Sequence, residues 1–114
     1  MVSIQRILPY TKQLVLLALY DVLDQEESEY HKGTGGDILA GVTVYGNYSE
    51  FSFIVSEDIP ATNLSVAVVS PGIGLSEQGM QRALTYLADR VEQLLENELK
   101  IKDLIMKETR GHKK

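Results

Sequence analysis

The sequence predicts an α+β fold in the order α-β-β-β-α: an N-terminal helix, a three-stranded antiparallel β-meander and a long C-terminal helix, with both helices on one face of the sheet. Three observations lead there. Leu14 to Tyr20 holds four leucines and an alanine, which favour helix over strand. Two β-rich runs flank Gly46-Asn47, a two-residue hairpin signal. From Ser76 to about Thr109, apolar residues recur at helical spacing. The 114 residues make one domain, placed at 1–110, with a basic tail at 111–114.

The first helix is expected over residues 3–25, with Ser3 as cap and Pro9 as a kink or a second start. Leu14, Val15, Leu16, Leu17, Ala18, Leu19, Val22 and Leu23 cover most of its circumference, the pattern of a helix buried on several sides.

Residues 26–37 read as a polar, glycine-rich loop. His31 lies among Glu26, Glu27 and Glu29, which are metal-ligand types. Their spacing matches no metal site and the other histidine, His112, is in the tail, so the segment reads as a solvated acidic loop. No metal or cofactor is expected. Lys32 to Asp37 reads as a connection before the hairpin, with a ligand-closing flap as the alternative.

A Gly46-Asn47 loop places Tyr45 opposite Tyr48, Val42 opposite Phe51, Ala40 opposite Phe53 and Ile38 opposite Val55. Val42, Ala40, Ile38, Phe51, Phe53 and Val55 then share the buried face. The other face carries Thr43, Tyr45, Tyr48, Glu50 and Ser52 and is partly exposed. The third strand, Leu64 to Val69, is apolar on both sides, as for a strand covered twice or lying at a subunit contact.

Ser70-Pro71-Gly72-Ile73-Gly74 follows, with Ser76 as the next helix cap. Strand, glycine loop and helix start are also the parts of a phosphate loop. The Walker lysine is missing, G-x-G-x-x-G is incomplete, and Glu77 in the first turn repels an anion. The segment reads as a turn. Tyr45, Tyr48, Gly72 and Gly74 remain the candidate ligand-binding residues, on an open sheet face near the glycine loops.

The final helix should overrun its sheet. Met80, Leu84, Leu87, Val91, Leu94 and Leu95 form one stripe, which Glu98 and Lys102 interrupt. Leu99, Ile101, Leu104, Ile105 and Met106 then form a second patch, rotated from the first. Self-association buries such a patch, and twofold homodimers are the commonest solution. The alternative is a bend near Glu96-Asn97 that folds the helix back on the first.

The net charge of −5 disfavours nucleic acid. The longest apolar run, Leu14 to Tyr20, is far short of the ~20 residues a membrane helix needs. The absence of cysteine removes disulfides and thiolate chemistry and fits a cytoplasmic location. No catalytic constellation is visible, so an enzyme is not expected. The leading functional reading is a small acidic interaction module (an adaptor, a chaperone-like protein or a regulatory subunit) acting as a homodimer or with another protein through Leu99 to Met106. The alternative is a small-molecule-binding domain or minor enzyme with its pocket on the open sheet face.

Overall fold

A computed structural model describes residues 2–33 and 35–111, with side chains described as far as residue 97. The elements run β1 (Ser3–Leu8), α1 (Lys12–Gln25), β2 (Glu29–Lys32), β3 (Ile38–Val44), β4 (Asn47–Asp58), β5 (Ala61–Ser70) and α2 (Glu77–Gly111). Among the described residues the class is α+β with a single antiparallel sheet, as expected, but the sheet has five strands in the order β1-β5-β4-β3-β2 rather than three.

Both extra strands lie at edges. Residues 3–8, expected as helix, alternate across the sheet and pair with β5, Ser3 opposite Ala67 and Leu8 opposite Thr62. Their period is two, and Pro9 ends them before Thr11 caps α1 by accepting a bond from the Leu14 N–H at 3.3 Å. Residues 29–32, expected as loop, pair with β3. Tyr30 turns towards α1 there, where it stacks on Tyr20 and donates to Asp24 at 2.8 Å. The connection from β1 to β2 therefore carries α1 from one edge of the sheet to the other.

The hairpin turn is Tyr45-Gly46, not Gly46-Asn47. Tyr45 has φ 51° and Gly46 φ 82°, the two positive values that a type I′ turn requires. Thr43 thus faces Tyr48, Ala40 faces Phe51 and Ile38 faces Phe53. The shift is by two, so the faces are preserved: Ile38, Ala40, Val42, Phe51 and Phe53 are all buried and Val55 is half-buried.

The core lies between that face and the two helices. α1 contributes Val15, Ala18, Leu19, Val22 and Leu23, while Leu17 remains 64% exposed, so α1 is not buried all round. α2 contributes Ala83, Leu84, Leu87, Ala88, Val91 and Leu95. β5 sits between β1 and β4 but is covered on one face only. Leu64, Val66 and Val68 are buried, whereas Val69 is 46% exposed.

Two buried hydroxyls on the core face tie down the loops that launch the helices. Thr62 donates to the Tyr10 carbonyl at 2.6 Å, before α1. Ser49 accepts from the Gly72 N–H at 2.8 Å, before α2. At β1, Arg6 points to the core face, where Asp89 (3.0 Å) and Glu92 (2.7 Å) of α2 meet its guanidinium. Bonding to Glu92, the largest influence, raises the Arg6 pKa further.

α2 has 35 residues, which is about 52 Å of helix, against a second molecular dimension of 29 Å. The overrun expected from the sequence is present. Leu99, Ile101, Leu104, Ile105 and Met106 lie outside the described side chains, and residues 112–114 of the basic tail lie outside the described residues. No described helix is long and apolar enough to cross a membrane.

Candidate functional site: an arginine-flanked tyrosine cleft

The β3–β4 turn brings Tyr45 against the N-terminal third of α2. Its ring meets Tyr86 edge to face, with centroids 5.4 Å apart and planes at 60°. The guanidinium carbon of Arg82 stands 5.6 Å from the Tyr45 ring centre, a cation–π distance. Arg82, Tyr86 and Arg90 follow one another at steps of four along α2, which places them on neighbouring parts of one helix surface. Tyr86 donates to the Glu26 carboxylate at 2.9 Å, and Arg90 donates to the Gln25 side-chain carbonyl. Both acceptors sit at the C-terminal end of α1, so the site joins the two helices and the turn. Burial, and then the bond to Glu26, raises the pKa of the Tyr86 phenol above the ordinary tyrosine value.

A cleft of about 360 Å³ opens here, lined by Tyr45, Gln81, Arg82, Thr85, Tyr86, Asp89, Arg90 and Gln93. That volume is within the range of small-molecule sites. Among the described residues, neither Arg82 nor Arg90 makes a salt bridge, whereas Arg6 makes two. Asp89 lines the cleft but is engaged by Arg6. The cleft thus offers an aromatic wall and two guanidinium groups that form no salt bridge among the described residues, with Asp89 in its lining and the Glu26 carboxylate on Tyr86.

Tyr45 itself is unusual. A bulky residue in the left-handed region costs about 1–2 kcal/mol, and Asn or Gly is the ordinary choice. The ring is also 67% exposed. Contacts with Arg82 and Tyr86 offset part of that cost.

The four sequence candidates divide between two places. Tyr45 belongs to the cleft on the α2 side. Tyr48 and Gly72 flank a separate groove of about 400 Å³ on the open face, with Asn47, Glu50, Ser70, Pro71 and Ile73. Tyr48 lies across Gly41, where an added Cβ would fall 1.9 Å from its hydroxyl. Gly74 has φ 78° and is not among the residues lining that groove. Three donors of the loop and helix start are used internally: Gly72 N–H on Ser49, Leu75 N–H on the Gly72 carbonyl, and Gly79 N–H on Ser76 at 3.1 Å.

His31 and Glu29 are exposed on β2, and no described group of three His, Cys, Asp or Glu side chains could hold a metal. Arg82, Tyr86 and Arg90 escaped the sequence reading. A signal existed: both arginines lack an acid four residues away on either side, unlike Lys100, Lys102 and Lys107, each preceded by one.

No family model matches the chain, and no curated protein matches it. Among solved structures it is similar in fold to a chain in the crystal structure of the adenylate sensor from AMP-activated protein kinase in complex with 5-aminoimidazole-4-carboxamide 1-beta-D-ribofuranotide (ZMP). The TM-score is 0.55 and the identity 14%, over 77% of this chain and 93% of that chain. At that identity the likeness is one of fold.

Proposed function

We propose that this chain is a non-catalytic small-ligand-binding module whose Tyr45–Tyr86 cleft takes a planar anionic ligand of the nucleoside monophosphate class. The observation that carries the reading is the pair of arginines without carboxylate partners on either side of the tyrosines, in a chain of net charge −5. An exposed tyrosine held in a costly backbone conformation adds to it, because such strain collects at ligand sites. The heterocyclic ring stacks on Tyr45, and the phosphate meets a guanidinium, which binds it through paired N–H groups. The fold neighbour's complex with ZMP, a ribotide, agrees with that ligand class.

Calorimetric titration with adenosine 5′-monophosphate tests the proposal, with adenosine and inorganic phosphate as separate probes. Saturable binding of the nucleotide at about 1 mM or tighter is expected, near 4 kcal/mol. Each fragment alone should bind at least about tenfold more weakly, a difference of roughly 1.4 kcal/mol. Tyr45→Asn and Arg82→Gln should each remove most of the binding. No saturable heat from the nucleotide at millimolar concentration would overturn the reading.

A second reading rests on α2. The helix continues sixteen residues beyond Leu95, the last core position among the described side chains, to Gly111. A protein-interaction role through Leu99, Ile101, Leu104, Ile105 and Met106, with a homodimer as its simplest form, accounts for that length. Ile101→Glu combined with Ile105→Glu would then place unpartnered charges in the contact and dissociate it, as read by sedimentation.

A further inference from the structure

We propose that the free edge of β1 is an interaction surface whose occupant is the β1 strand of a second copy, paired antiparallel about a twofold axis at Gln5. The proposal is independent of the cleft. Among the described residues β1 ends the sheet, paired with β5 on one side only. The Val68 N–H donates to the Val2 carbonyl at 2.9 Å, which fixes the alternation: Val2, Ile4, Arg6 and Leu8 turn their backbone groups to β5. Ser3, Gln5 and Ile7 therefore present N–H and C=O outward, and all three residues are exposed.

The two edges of the sheet differ in how they are protected. Natural edges are blunted by charge, brevity or proline. β2 is four residues long and carries Glu29, His31 and Lys32. β1 is six residues long, and Arg6 is its one charged residue. That charge faces the core layer and is matched by Asp89 and Glu92. The outward row is neutral, and Ile7 is 60% exposed beside it.

The strand's own pattern fits a second copy as occupant. With the axis at Gln5, Ser3 of one copy faces Ile7 of the other and the two Gln5 residues face each other. No like charges are opposed, because each Arg6 falls opposite Ile4 and keeps its own carboxylates. All three outward residues then exchange backbone bonds across the junction. The axis is perpendicular to the sheet, so both helix layers lie on the same side. α2, which packs on β1, comes beside its counterpart.

The chain has no cysteine, which makes cross-linking clean. Facing residues in a hydrogen-bonded antiparallel pair are about 5.5 Å apart at Cα, inside the disulfide range. Gln5→Cys should therefore form a covalent dimer rapidly under mild oxidation. Ser3→Cys should not, since the two Ser3 positions would be about 13 Å apart along the strand. Gln5→Pro removes an outward N–H that β5 does not use, so it should keep the wild-type circular dichroism spectrum and weaken the dimer at least about tenfold by sedimentation. Three results would each overturn the proposal: a wild type that stays monomeric at several hundred micromolar, equal cross-linking at positions 3 and 5, or a folded Gln5→Pro variant that dimerises as tightly as wild type. If Gln5→Pro does not fold, the two cysteine variants decide alone. Dissociation by Ile101→Glu with Ile105→Glu but not by Gln5→Pro would assign the contact to α2 and equally overturn the edge.

Discussion

Gly72 and Gly74 stand two residues apart in one loop, and the structure assigns them different reasons for being glycine. At Gly72 an added Cβ would lie 2.4 Å from the Tyr48 carbonyl oxygen and 3.4 Å from Ser49 Oγ. The first of these is backbone and cannot rotate aside. Gly72→Ala must therefore lift the loop and break the 2.8 Å bond from its N–H to Ser49. Ser49 is 2% exposed, so its hydroxyl would lose a partner that water cannot easily replace, at about 1–3 kcal/mol. Overpacking adds roughly 1–3 kcal/mol, and we expect about 2–6 kcal/mol in all. Gly74 meets no atom within 4 Å but has φ 78°. Its alanine variant bears only the left-handed penalty, about 1 kcal/mol, and Gly74→Asn should recover part of it because asparagine tolerates that region. Urea unfolding at constant m-value measures all three variants. In the Ser49→Ala background the Gly72→Ala cost should shrink by the hydrogen-bond share, the coupling a double-mutant cycle reads. Equal costs for Gly72→Ala and Gly74→Ala, or no coupling to Ser49, would refute the claim that Ser49 anchors the start of α2.

Four other substitutions test the packing and the site. Phe53→Ala should cost about 3–5 kcal/mol as a core cavity, while Tyr48→Ala, whose ring is 57% exposed over Gly41, should cost clearly less in the same unfolding assay. The raised Tyr86 pKa means the folded state holds the phenol proton more tightly than the unfolded state. Its contribution is complete below the ordinary tyrosine value of about 10 and is lost as pH rises through the folded value, so Tyr86→Phe should flatten the fall in stability above pH ~10. Arg6→Gln should cost about 1–2 kcal/mol by leaving Asp89 and Glu92 without their shared cation, and thermal melts in high salt should show a smaller loss.

What the sequence made legible was whatever depends on neighbours in the chain. The α2 stripe and the face assignment of the hairpin rest on periods of 3.6 and 2, and both hold in the structure. β1 was illegible because its inward row includes Arg6, which looks wrong for a core face until Asp89 and Glu92 arrive from 83 and 86 residues away. β2 was illegible because its inward row holds only Tyr30 and the exposed Lys32, a pair that shows no apolar alternation. The hairpin loop was misplaced by one residue for a different reason. Local turn chemistry prefers Gly46-Asn47, and the chain instead turns at Tyr45-Gly46, with a tyrosine in a conformation that asparagine would adopt more easily. Local preference and native structure usually agree in a foldable sequence, so a disagreement calls for a compensating gain. Here the gain lies at the cleft, where Tyr45 meets Arg82 and Tyr86. Those contacts alone are worth about as much as the strain they offset, which gives stability no reason to prefer tyrosine over asparagine at this position. A role for the ring towards a ligand supplies one. Tyr45→Asn separates the two accounts, because it should leave the unfolding free energy within about 1 kcal/mol while removing nucleotide binding.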